Sequence, residues 1–332
     1  MNEIERYNFD LNGFLLVKGM LSKALTARCL SAVDGLEQRL VTGLAKPPSF
    51  LGHYNIEYRS DDELGIFYYE NYSGGGRQIV VDDFLNASEA FDDLVAHGPT
   101  MKYVREFAAG PYWLTSSEIR FRHKGNKTLT HMGGPIDSRN RFEFLGRSMH
   151  DAATGDRSTR SFNLVTLRVI YALHDIPLEN GPLCVVPGSH KSNFFSPYGE
   201  DPSEEPGMVG IPMEAGDALF FTENLRHGGF PNLMDSARRT LHLTIGPRWA
   251  TSQSPAHWND VVHVTPSVRQ RYSEEQRALL PAIRATDSQK TEYELIQLKE
   301  ENRRLAKEIA EIKEKQSSLS KWGIFLPNWF AK

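Results

Sequence analysis

The chain has 332 residues, 40% of them hydrophobic and 24% charged, and a formal net charge of -4. That length can bury one large core plus an appendage, and the acidic balance argues against a general binder of nucleic-acid polymers. No apolar run reaches membrane-spanning length and the opening Met1-Asn2-Glu3-Ile4-Glu5-Arg6 lacks a signal-peptide pattern, so a cytoplasmic protein without stable membrane insertion is expected.

Residues 7–21 predict a turn and then a short apolar strand. Ser22 caps a helix whose apolar positions Leu25, Cys29, Leu30, Val33, Leu36 and Leu40 recur at helical spacing, and Pro47 and Pro48 close it. Cys29 and Cys184 have no metal-ligand spacing and read as buried, reduced thiols. After the Gly74-Gly75-Gly76 turn, residues 88–108 predict a helix carrying Phe91, Leu94, Val95, Met101, Val104 and Phe107, with a sheet behind it.

Beyond Gly110 the pattern turns to strands at 112–123, 128–132, 161–174, 183–186, 218–222 and 240–245. Short strands with Gly, Pro and Asn turns and no alternating helices predict a mainly β fold with flanking helices, an antiparallel sandwich of jelly-roll type. Asn180-Gly181 between Leu178 and Leu183 reads as a hairpin turn.

The stretch from Ala215 to Gly229 is a Gly-Asp turn, an aromatic strand and His227 at its far end, and the next strand opens with Arg238-Arg239. Neutral imidazole is a common metal ligand and a guanidinium can grip a carboxylate in parallel, so the pair points to a metal beside an anionic co-substrate. Neighbouring strand residues face opposite ways, so only one of Arg238 and Arg239 can face in. The plain alternative is a surface histidine beside solvated arginines.

Two groups of cations invite an anionic small-molecule substrate. One is the long polar segment 133–161, with Arg139, Arg141, Arg147, Arg157 and Arg160; the other is Arg120 and Arg122, alternating with Glu118 on one strand. A solvated loop explains the first equally well. His190 is expected in turn hydrogen bonding and His242 in the core.

Together, Asn180-Gly181-Pro182-Leu183-Cys184-Val185-Val186-Pro187-Gly188-Ser189-His190-Lys191, Ala215-Gly216-Asp217-Ala218-Leu219-Phe220-Phe221, and His227 with Arg238 eleven residues later resemble the phytanoyl-CoA dioxygenase family. Gly13 to Leu21 looks like that family's opening strand. The resemblance implies a double-stranded β-helix over residues 1–250 that uses Fe(II), 2-oxoglutarate and O2. It also implies His227 as the distal metal ligand and Arg238, with Arg239 as rival, as the clamp on the far carboxylate of 2-oxoglutarate.

The family's first ligand pair is His-x-Asp, yet none of the eleven histidines here is followed two residues later by Asp or Glu. His131-Met132-Gly133 comes nearest in place, with Gly133 at the carboxylate position. His-x-Gly resembles the halogenase variants, including nucleotide-chlorinating enzymes, in which chloride takes the vacant position and the substrate radical combines with it. Three readings stand: a halogenase with His131 and His227 as ligands; a hydroxylase in which Asp137 or water fills the gap; and a non-catalytic jelly-roll binding protein.

A connecting segment at 251–288 is expected, and then a helical extension at 289–332. Leu295, Leu298, Asn302, Leu305, Ile309 and Ile312 form a heptad seam suited to a homodimer or to packing on the same chain. The aromatic tail, Trp322 to Phe330, is expected to dock within the protein.

Overall fold

In the computed structural model the described residues are 1–108, 111–132, 162, 164–192, 194, 196–252, 256, 261–281, 303–305, 307–310 and 312. Residues 1–281 form one compact unit and 282–332 a second. In the second unit the described positions of the heptad segment are helical. Leu295, Leu298, Asn302 and the aromatic tail lie outside the described residues.

The chain opens with helix α1 (Glu3–Asn12) where a turn was expected. Asn2 and Glu5 form a reciprocal capping box, and Gly13, at φ 81°, ends the helix in the left-handed region. Its only buried residue is Phe9, while Ile4, Tyr7 and Leu11 are exposed, so no apolar stripe marks it as a core helix. Strand β1 (Phe14–Val17) follows, then α2 (Lys23–Leu44), capped by Ser22 and burying Leu25, Cys29, Val33, Leu36 and Leu40.

Next come β2 (Phe50–Leu51), β3 (Glu57–Asp61), β4 (Ile66–Ser73) and β5 (Gly76–Asp82). The helix expected over 88–108 is two pieces, a 3-10 turn at Glu89–Leu94 and α3 (Gly98–Phe107). The break falls at Ala96, whose φ is 60°, and Pro99 restarts the helix in its first turn.

The remaining strands are β6 (Tyr112–Arg122), β7 (Thr128–His131), β8 (Leu167–Ala172), β9 (Leu183–Val185), β10 (Val209–Gly210), β11 (Ala218–Thr222), β12 (His227–Gly229) and β13 (Arg238–Pro247). Helices α4 (Pro266–Arg271) and α5 (Glu274–Ala278) come after them. The nine-stranded sheet runs β1-β11-β8-β13-β6-β5-β4-β3-β2 and the four-stranded sheet β10-β9-β12-β7, with antiparallel pairing throughout. This is the expected jelly roll, a double-stranded β-helix widened by β2 to β5.

Asn180-Gly181 does not close a hairpin. β8 and β9 belong to different sheets, and a 3-10 turn at Leu178–Asn180 carries the chain between them. Gly181 is required because a Cβ there would lie 2.4 Å from the Phe230 carbonyl oxygen.

Strand alternation then sorts the large sheet into two faces. Ile119, Phe121, Val169, Tyr171, Leu241 and Leu243 turn outward and pack with α2 and α3 into the main core. Turned inward, Ile170, Leu219 and Phe221 meet Val185, Leu225, Ile211 and Met213 in a smaller apolar core between the sheets. Toward β13 and β6 the interior becomes polar. Residues 261–281, all expected in a connecting segment, add Val262, Val264, Val268, Tyr272 and Leu280 to the main core.

Candidate metal centre

Two short turns place the central side chains. Gly216 takes a φ of 91° and its neighbour Asp217 accepts from the backbone N–H groups of Glu214 at 2.8 Å and Gly19 at 2.9 Å, pinning the start of β11 to the end of β1. At the far end of β11 the Leu225 N–H returns to the Thr222 carbonyl at 2.9 Å, turning the chain into β12. Glu223 and His227 thereby stand on either side of one tight turn, and β12 pairs with β7 so that His227 lies opposite His131.

The two imidazole rings are 4.2 Å apart between centroids. Each uses Nδ1 on a backbone carbonyl two residues earlier, His131 on Leu129 at 2.8 Å and His227 on Leu225 at 2.6 Å. A carbonyl only accepts, so each Nδ1 carries the proton and each Nε2 keeps its lone pair, the arrangement that orients a metal-ligating histidine. Burial, and after it the neighbouring His131 ring, drives the His227 imidazole down to about 3.

Glu223 completes the group: one ligand atom from each of His131, Glu223 and His227 lies within 4.8 Å of the others. The carboxylate is buried, and its Oε2 is 3.6 Å from His227 Nε2. Burial works to raise it, but Arg168 and the two imidazoles outweigh that, and the group sits below its usual range. Two imidazole nitrogens and one carboxylate oxygen suit Fe(II) and related ions, so the donor set fits the metal implied by the fold.

Beside this group lies a store of buried cations, set by register across β6 and β13. Arg122 lies opposite Arg238, Arg120 opposite Thr240 and Glu118 opposite His242. Arg120 is tied to Glu118 through Nε at 3.0 Å and Nη2 at 2.6 Å. Arg238 is 4% exposed and Arg122 2%, and neither has an anionic partner: Arg238 gives Nη1 to the Gly181 carbonyl, while Arg238 Nε and Arg122 Nε and Nη1 have no partner among the described residues.

Burial, then Arg120, lowers the Arg238 guanidinium to about 10, and burial, then Arg238, lowers Arg122. Two uncompensated cations in an interior cost several kcal/mol, about what a bound carboxylate would offset. A small cradle adjoins them: a Cβ at Gly229 would meet Arg122 Nη1 at 2.8 Å and Thr128 Oγ1, which has no partner among the described residues, at 3.1 Å.

Arg239 points the other way, pairing with Glu37 at 2.8 Å and Asp34 at 3.2 Å on α2. His242, expected in the core, is buried on the inner face with Nε2 2.9 Å from Thr240 Oγ1. His190 sits in a 3-10 turn with Nε2 on the Asp10 carbonyl at 3.2 Å. Gly133, Asp137, Arg139 and Arg147 lie outside the described residues. Glu223 was missed: Glu-x-x-x-His joins two strands across a turn, and the expected carboxylate was sought beside His131.

Comparison with known proteins bears on this arrangement. The phytanoyl-CoA dioxygenase (PhyH) family model matches residues 146–240, the span holding Glu223, His227 and Arg238. This stretch resembles the phytanoyl-CoA dioxygenase family. The dioxygenase olcK of Penicillium canescens is 28% identical to the chain over 177 residues, covering 52% of this chain and 53% of that protein. The chain thus spans about half the length of that relative. A methylphosphonate hydroxylase of Gimesia maris is 23% identical over 224 residues, 61% of this chain and 76% of that protein.

Among solved structures, HygX from Streptomyces hygroscopicus, determined with nickel, 2-oxoglutarate and hygromycin B bound, superposes with a TM-score of 0.56 at 19% identity, covering 80% of this chain and 98% of that one. The carbocyclase SnoK from nogalamycin biosynthesis gives 0.52 at 16%, covering 80% and 95%. These likenesses establish the double-stranded β-helix fold. Among the described residues no helix is long and apolar enough to cross a membrane.

Proposed function

We propose that the chain is an Fe(II)- and 2-oxoglutarate-dependent oxygenase of phytanoyl-CoA dioxygenase type acting on a small molecule. Its protein ligands would be His131, Glu223 and His227, with Arg238 and Arg122 seating the far carboxylate of 2-oxoglutarate. The carrying observation is the meeting of two oriented imidazoles and a buried carboxylate beside two guanidiniums that lack an anionic partner among the described residues. When bound, the metal and co-substrate supply, with O2, the oxidation of an unactivated C–H bond and release succinate and CO2.

The chain's own part is positional. Leu129 and Leu225 carbonyls hold the imidazoles in the metal-binding tautomer. The buried guanidiniums fix the co-substrate's orientation by charge-assisted hydrogen bonds. The small molecules in the names of the relatives, methylphosphonate and hygromycin B, support a small-molecule substrate.

Chlorination is the second reading, favoured by Gly133 in place of the family's aspartate. Glu223 weighs against it, because a carboxylate donor takes the position a halide would need. The test is to supply Fe(II), 2-oxoglutarate, chloride and air with a panel of small metabolites, anionic ones included, and to follow succinate and product masses. Succinate formation and an added oxygen, both lost in His131→Ala and His227→Ala, are expected. Chlorinated product would promote the second reading, and absence of both metal binding and succinate would overturn enzymatic function.

A further inference from the structure

Glu223 is gripped at the atom that decides how many oxygens it can offer. Arg168, on β8, donates Nε to Glu223 Oε1, while Oε2 stays 3.6 Å from His227 Nε2. The same guanidinium gives Nη1 to Glu118 Oε1 at 3.3 Å, and the other oxygen of Glu118 is taken by Arg120. Arg168, Glu118 and Glu223 are each less than 9% exposed, so this chain of alternating charges is shielded from water screening.

On the reading of the site given above, we infer that Arg168 is a positioning residue that confines Glu223 to one-oxygen coordination, with Glu118 and Arg120 holding Arg168 in place. Two imidazoles, a one-oxygen carboxylate and a chelating co-substrate leave one position of an octahedral metal open, and a carboxylate using both oxygens would close it. Arg suits the task because Nε and Nη1 leave the planar fork in fixed directions and reach two carboxylates at once. A lysine ammonium is one point of charge and cannot bridge them in that geometry.

The test uses Co(II) as a redox-stable probe on the full chain, with affinity measured by calorimetry and coordination by visible absorption. Glu223→Gln should weaken Co(II) binding. Arg168→Lys should weaken it roughly 10- to 100-fold, the usual effect of losing a partner that orients a ligand, and should alter the visible bands. Losing Arg168 strands two buried carboxylates, so the double variant Arg168→Gln/Glu118→Gln is measured beside it. That variant removes one cation and one anion together, and thermal unfolding verifies its fold.

Weakened Co(II) binding with changed bands in the folded double variant supports the inference. Wild-type affinity and bands in both Arg168 variants would overturn it, as would unchanged binding by Glu223→Gln. Failure of the wild-type protein to bind Co(II) would instead overturn the metal site itself, a result distinguishable from loss of the positioning role alone.

Discussion

Replacing Arg238 by Met should stabilise the free protein and cripple co-substrate binding, two effects of opposite sign. The guanidinium is 4% exposed and its ionisation falls from the ordinary arginine range to about 10, chiefly because it is buried. For a cation with a depressed folded-state pKa, the penalty is fully present below about 10 and fades as pH rises toward the ordinary arginine range. At neutral pH it is roughly 3 kcal/mol. Met keeps the length of the stem but forfeits the bond to the Gly181 carbonyl, about 1 kcal/mol, leaving a net gain on the order of 1–2 kcal/mol.

That gain should raise the melting temperature by a few degrees. Losing a buried charge-assisted pair to 2-oxoglutarate should cost about 2–5 kcal/mol, a loss of affinity of roughly 30-fold or more. Thermal unfolding of Mn(II)-loaded wild type and Arg238→Met, with and without 2-oxoglutarate, reads both effects. A variant less stable than wild type that keeps the full 2-oxoglutarate-induced shift would refute the assignment and make Arg238 a structural anchor.

Gly229→Ala pushes against Arg122 Nη1, the far end of a flexible side chain, so the fold should survive while 2-oxoglutarate binding weakens and metal affinity holds; titrating co-substrate into the Mn(II) form checks this. Burial, then Lys191, lowers His190 to about 4, so between pH 6.5 and 4 the unfolded chain takes up a proton that the folded one refuses. Stability should fall with pH across that window by up to about 1.4 kcal/mol per unit from this group, and His190→Gln should lose that share of the slope in urea unfolding at a series of pH values. Phe220 is fully buried and stacks on Tyr103 at 5.1 Å, so Phe220→Ala should cost about 3–5 kcal/mol by denaturant midpoint.

The jelly roll was legible because alternation and turn residues are local signals. β11 and β13 follow their apolar periods, and Ser22 caps α2 as its side chain suggests. Local rules failed where tertiary contact overrode them. Asn180-Gly181 has hairpin chemistry, yet the glycine is there to admit the Phe230–Asn232 backbone from the other sheet. α1 buries a single side chain, so hydrophobic periodicity had almost nothing to report.

The site divides along the same line. His131 and His227 carry motif information, and strand alternation demanded that Arg238 and Arg239 part company, as Arg239 does by reaching α2. Glu223 could not be found among the residues next to His131 in the chain, because its place depends on a turn after β11 and on a register that joins β12 to β7. A carboxylate's position along the chain matters less to a metal than the oxygen it presents. A chain without His-x-Asp can therefore still assemble two imidazoles and a carboxylate, provided a cation such as Arg168 lowers the cost of burying the anion where the strands meet.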